Sequence, residues 1–161
     1  MTDTNSAPRI VAASREIDAP AEVIFELIAD PAKQPRWDGN DNLSASSSPR
    51  VREVGDVFEM ELTKEGAVRA NRVVKFEEGR RIAWLPAPVG EEPPGHLWRW
   101  ELEPLSAGAT KVTHTYDWTN LADERRIPKA KATTAEMLDA SIARLAEFAL
   151  RDLEEWPPQD A

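Results

Sequence analysis

The chain has 161 residues and is 41% hydrophobic, enough for one domain with a full core. It contains no cysteine, which excludes disulfides, thiolate chemistry and cysteine-ligated metals. Its 20 basic and 29 acidic side chains leave a net charge of −9, so nucleic acid and anionic membrane surfaces are disfavoured as partners.

Met1–Pro8 is polar and lacks the apolar centre of a signal peptide, so a mobile tail and a cytoplasmic location are expected. Arg9–Ile17 alternates weakly and reads as a first strand. In the stretch that follows, Pro20 suits a first helical position and Asp18 places negative charge at the positive helix end. Val23, Ile24, Leu27 and Ile28 recur at three- and four-residue spacing, which gives one apolar face. Asp30-Pro31 stops that helix, because proline disfavours the helical conformation of the residue before it. Asn40–Pro49 is polar and serine-rich, either a loop or a poor edge strand. Val57–Thr63 alternates cleanly, with Phe58, Met60 and Leu62 on one face. Lys64-Glu65-Gly66 turns the chain into a long strand, Val68–Glu77, and Glu78-Gly79 turns it again into Arg80–Leu85. Leu85–Gly95 carries four prolines and is not expected to be a central strand. His96–Glu103 places His96, Trp98, Trp100 and Leu102 on one face, and Thr110–Thr119 does the same with Val112, His114, Tyr116 and Trp118. Strands joined by short turns imply an antiparallel meander.

Asn120–Ala132 reads as a charged connection. Thr133 with Glu136 three residues on has the spacing of a capping box, so a helix is expected from there to about Glu155. Leu138, Ile142, Leu145, Ala149 and Leu153 keep its helical period, and Glu147 and Arg151 are four apart in the favourable orientation. Trp156-Pro157-Pro158 ends the helix, with Trp156 expected as a packing cap and residues 157–161 as a second mobile tail. Residues 9–156 form a single expected domain, with no apolar run of the ~18–20 residues a membrane span requires.

Three segments, IDAPAEVIFELIADPAKQPRW (Ile17–Trp37), FEEGRRIAW (Phe76–Trp84) and GATKVTHTYDWT (Gly108–Thr119), resemble the START-related, or SRPBCC, superfamily of polyketide cyclases and dehydrases, the birch-pollen allergen and coenzyme-Q-binding proteins. The resemblance runs from roughly Ile10 to Leu153. It implies an α+β helix-grip fold: a seven-stranded curved antiparallel sheet, two short N-terminal helices and a long C-terminal helix that together enclose a hydrophobic cavity. Loops at one end of the sheet, Lys64–Ala67, Pro86–Gly95 and Asn120–Ala132, would form the mouth.

Six tryptophans are an unusual density for this length, and Trp37, Trp84, Trp98, Trp100 and Trp118 fall where such a cavity or its rim would lie. Each either fills core or stacks on a flat or greasy ligand. Phe58, Met60, Tyr116 and Leu138 complete the expected lining, with one of Arg69, Asn71 and Arg72 as an inward polar anchor and Asn71 counted among the lining residues. His114 and Tyr116 share one face. They either orient or exchange protons with a ligand, or His114 is a hydrogen-bonded core histidine. His96 is expected to be exposed, and Asp117 to point away from the cavity. Two histidines eighteen apart make no metal site, no nucleophile motif occurs, and no phosphate-cradling glycine loop is present. No cofactor is expected.

Three functions fit these features. One is binding of a small hydrophobic molecule, aromatic, polyketide-like or lipid-like. A second is a polyketide cyclase, aromatase or dehydratase with His114 and Tyr116 as its acid–base pair. The third is a protein–protein module resembling activators of heat-shock-protein-90. The expected partner is a small hydrophobic molecule, and the expected assembly a monomer or homodimer.

Overall fold

The computed structural model describes residues 9–155. Its elements are β1 (Ile10–Ile17), α1 (Ala21–Ala29), α2 (Gln34–Trp37), β2 (Leu43–Ala45), β3 (Val57–Leu62), β4 (Val68–Glu77), β5 (Arg81–Pro88), β6 (Leu97–Ser106), β7 (Ala109–Asp117), α3 (Ile127–Ala132) and α4 (Ala135–Leu153). All seven strands belong to one antiparallel sheet in the order β1-β7-β6-β5-β4-β3-β2. The long helix α4 lies against β1, β7, α1 and α2. This is the expected helix-grip architecture, with α1 and α2 carrying the chain from one sheet edge to the other. Both expected tails and Trp156 lie outside the described residues.

Helix α1 is more deeply enclosed than its apolar stripe implies. Phe25 and Ala29 are buried together with Val23, Ile24, Leu27 and Ile28. Pro20 is its N-cap in extended conformation, one position before the first helical residue. Arg50 clamps α1 to the β4–β5 turn, donating to Glu26 at 2.8 Å and to Glu78 at 2.7 Å. Asn40–Pro49 contains the three-residue edge strand β2, and the segment before it is fastened to α4. There Asn40 Nδ2 donates to the Met137 carbonyl at 2.9 Å. A Cβ on Gly39 would stand 2.6 Å from the Ala140 carbonyl carbon, so only glycine allows this approach.

Three local expectations need correction. Strand β5 runs on through Pro86 and Pro88, paired with Asn71 and Arg69 of β4. Proline lacks the N–H that a strand laddered on both sides requires. Here the β5–β6 pairing ends at Trp84–Trp98, so the prolines need satisfy only the β4 side. The connection Asn120–Ala132 folds into a 3₁₀ turn, Glu124–Arg126, followed by α3. Pro128 sits in the first turn of α3, where its missing N–H costs nothing. Finally, the N-cap of α4 is Thr134, not Thr133, and the residue facing it is Met137, not Glu136. Thr134 Oγ1 accepts from Met137 N at 3.3 Å, and Met137 Sδ accepts from Thr134 N at 3.5 Å. Thr133 instead ends α3, its hydroxyl donating to the Lys129 carbonyl at 3.1 Å.

Candidate functional site

Directly opposed residues of an antiparallel pair share a face, so the strand register assembles the inner face of the sheet row by row. One row runs Val73, Trp84, Trp98 and Tyr116 across β4 to β7. The next runs Ile82, Trp100, His114 and Ala13 across β5, β6, β7 and β1. Towards the other edge, Phe58 opposes Asn71, and Met60 opposes Arg69. The period of β4 is hard to read from sequence because a bulge between Val73 and Lys75 shifts its register. Of the three polar residues that the sequence leaves open here, Asn71 faces inward, with its Nδ2 donating to the Phe58 carbonyl at 3.2 Å. Arg69 shares that face; Arg72 lies on the other.

The aromatic side chains then sort by what they touch. Trp37 donates its indole N–H to the Leu27 carbonyl at 2.8 Å and meets Trp100 edge-on, with ring centroids 5.0 Å apart. Phe58 and Trp84 form a second edge-on pair at 5.2 Å. These four rings belong to a large core cluster with α1, Leu102, Val112, Ile142 and Leu145. Trp118 and Leu138 belong to a smaller cluster with Tyr116, Leu121 and Ala130, and the Arg9 guanidinium lies 4.5 Å over the Trp118 ring. Trp98 and Ala13 pack against both clusters. Met60, though only 2% exposed, belongs to neither. The buried apolar side chains thus form two groups, and Trp98 and Ala13 bridge the seam between them.

His114 lies at this seam. Its ring stacks on Trp100 at 3.7 Å and lies beside Trp98 at 5.5 Å, while Trp98 tilts against Tyr116 at 4.4 Å. His114 Nδ1 faces the Arg99 carbonyl at 3.2 Å. Because a carbonyl can only accept, the proton is on Nδ1, and Nε2 is left as an acceptor. Burial pushes the His114 pKa down to about 3, against a smaller opposing effect of the Arg99 bond. Burial likewise pushes the Tyr116 phenol up to about 12, opposed by the charge of Arg126. Two buried side-chain nitrogens, His96 Nδ1 and Trp100 Nε1, are sealed with no partner among the described residues. An unpaired polar group of this kind costs about 1–3 kcal/mol. His114 Nε2 and the Tyr116 hydroxyl form no side-chain hydrogen bond among the described residues, and both side chains are buried.

His96 departs from expectation. It is half-buried, its ring edge-on to Tyr116 at 6.1 Å. Burial, with the charges of Arg126, Lys129 and Arg69, lowers its pKa to about 4. A charged connection over Asn120–Ala132, as the sequence suggests, gives no sign that Arg126 and Lys129 come close enough to His96 for their charges to act on it. The carboxylates near tryptophans serve the backbone. Asp38 Oδ2 accepts from Leu43 N at 2.7 Å, and Asp117 Oδ1 accepts from Thr119 N at 2.9 Å. Among the described residues no three histidine or acidic side chains gather as a metal site, and no helix is long and apolar enough to cross a membrane.

Comparison with known proteins agrees with this architecture. Residues 8–155 match the family described as polyketide cyclase / dehydrase and lipid transport. An uncharacterized protein of Mycobacterium tuberculosis, Rv0088, is 31% identical over 121 residues, covering 73% of this chain and 51% of its own length. The chain therefore spans about half the length of the curated relatives it matches. The crystal structure of protein NE0264 from Nitrosomonas europaea superposes with a TM-score of 0.68 at 19% identity, covering 94% of this chain and 99% of that one. DynU16, from the dynemicin biosynthetic locus, superposes with a TM-score of 0.64 at 19% identity, covering 91% of this chain and 49% of that one. At these identities the structural matches establish the fold alone.

Proposed function

The chain belongs to the polyketide cyclase / dehydrase and lipid transport family, and on that premise we propose that it binds a small hydrophobic molecule, aromatic, polyketide-like or lipid-like, along the seam of its core. The observation that carries this reading is the divided interior. Trp98 packs against both clusters with His114 and Tyr116 beside it, Met60 and Asn71 are buried on the same face of the sheet, and His114 Nε2 and the Tyr116 hydroxyl form no side-chain hydrogen bond among the described residues. An apolar wall with a few convergent polar atoms is the usual composition of a small-molecule site. Trp37, Phe58, Trp84, Trp100, Trp118 and Leu138 support that wall from behind by packing into the two clusters.

Cyclisation or dehydration of a polyketide is the alternative, and it would make His114 and Tyr116 the acid–base pair. General acid–base catalysis is most efficient when the pKa of the group lies near the operating pH. A histidine near 3 is a weak base at neutral pH, and a phenol near 12 a weak acid, so their tuning favours binding over turnover. Both groups suit hydrogen bonding to a carbonyl or hydroxyl of a held ligand: Tyr116 donates, and His114 Nε2 accepts.

Under the binding reading, His114→Ala and Tyr116→Phe each weaken ligand affinity by about 1 kcal/mol, the value of a lost hydrogen bond. The assay is a titration of tryptophan emission with a flat aromatic phenol, run beside a multiple-turnover assay on a poly-β-keto thioester. Turnover abolished by His114→Ala, ~10²–10⁴ in rate with binding intact, would replace binding with catalysis as the function.

A further inference from the structure

In a chain of net charge −9, one end of the sheet gathers positive charge. Arg69 is directly opposite Met60, so it stands on the inner face of the sheet, at the end where β3 leaves it and β4 enters. Lys64 lies in the β3–β4 turn next to it. From the other side comes α3, whose Ala130 is buried with Tyr116 and whose Ile127 packs against the same cluster. This brings Lys129 of α3 and Arg126 of the preceding turn over the Tyr116 end. The charges of Arg69, Lys64 and Arg126 all act on Lys129, and those of Arg126, Lys129 and Arg69 on His96. The β5–β6 loop closes the ring: Ala122 N donates to the Pro94 carbonyl at 3.4 Å, and a Cβ on Gly95, at φ +122°, would strike the Asn120 carbonyl oxygen.

Acidic neighbours neutralise little of this charge. Asp123 pairs with Arg126 at 3.3 Å and also with Arg125. Glu92 is drawn to Arg72 on the outer face. Lys64, Arg69 and Lys129 form no ion pair among the described residues. Lys129 is exposed, and partial desolvation, as the larger cause, lowers its pKa with help from the nearby charges of Arg69, Lys64 and Arg126. Like charges held near one another repel, and an anion placed among them relieves that repulsion.

We propose that this end of the seam is an anion site, in which Arg69 and Lys129, supported by Lys64 and Arg126, receive the carboxylate-type head of an amphipathic ligand whose apolar body lies against Met60, Trp98 and Tyr116. The proposal rests on the seam being the binding site, and it narrows the ligand class from hydrophobic molecules in general to hydrophobic anions. A neutral ligand of equal length gains the same apolar burial and none of the charge-assisted hydrogen bonds.

The test uses the full chain and two probes with the same tail, laurate and dodecanol, titrated by calorimetry at low ionic strength. Laurate is expected to bind roughly tenfold or more tighter than dodecanol, as charge-assisted hydrogen bonds require. Lys129→Gln and Arg69→Gln should each remove most of that advantage and leave dodecanol unchanged. Lys111→Gln, on an exposed position of β7, should alter neither. Lys129 is on a surface helix, so its variant keeps the test open should Arg69→Gln fold poorly. Equal affinity for the two probes, or a laurate preference that survives both substitutions, overturns the anion site and leaves the seam standing. Failure of both probes to bind overturns the seam and the anion site together.

Discussion

Ile142→Asp is expected to lower the unfolding free energy by several kcal/mol, enough to leave much of the chain unfolded near 37 °C. Ile142 is fully buried midway along α4, in one cluster with Leu145, Ala149, the α1 side chains and Trp100. A carboxylate there finds no cation, and desolvating it costs far more than the lost apolar contact alone. Leu150→Asp is the control: Leu150 is 47% exposed on the same helix, and the change should stay within about 0.5 kcal/mol. Urea unfolding of the three proteins measures the difference. An Ile142→Asp variant that unfolds with its parent would mean that α4 does not close the core.

Acid should weaken the fold through its two histidines. Burial leaves His114 near 3 and His96 near 4 in the folded chain, against about 6.5 when unfolded. Between those values the unfolded chain binds more protons than the folded one. The stabilisation from keeping both rings neutral is therefore complete above about pH 6.5 and falls as pH falls towards the folded values. By pH 5 the loss is about 2 kcal/mol for each histidine. His114→Gln removes one of the two titrations while keeping a polar group of similar reach. Its stability should drop less than the parent's between pH 7.5 and pH 5, by about the same 2 kcal/mol. Carboxylate titration affects both proteins alike and cancels in the comparison. Parallel stability curves for parent and variant would contradict the burial of His114.

These two effects draw on different amounts of information in the sequence. The helix face of Leu138, Ile142 and Leu145 is written in its period, as are the inner faces of β3, β6 and β7, because strict alternation leaves one assignment of sides. Where backbone irregularity intervenes, the period misleads. The bulge in β4 hides the inward turn of Arg69 behind an ambiguous pattern. The prolines of β5 suggest a loop because sequence does not reveal that β6 withdraws beyond Trp98, which leaves an unpaired flank for Pro86 and Pro88. Helix α3 is short and highly charged, and packing of Ala130 and Ile127 rather than propensity holds it in place. The action of the Arg126 and Lys129 charges on His96, and of Arg69 on Lys129, depends on where this helix packs and is not visible in the sequence. The aromatic richness of the interior was legible. Its division into two clusters was not, since that depends on which rings meet edge-on across the core.

A ligand held along the seam is expected to lie beside Met60. Methyl-labelled methionine provides the most direct measurement, because Met60 is buried on the inner face of β3 while Met137 is tied to Thr134 at the N-cap of α4. With laurate bound, nuclear Overhauser contacts are expected between the Met60 methyl and the alkyl chain, lost on substitution of Met60 by leucine, and none from Met137. Contacts confined to Met137, or binding that leaves the Met60 methyl unperturbed, would place the ligand on the surface and contradict the account.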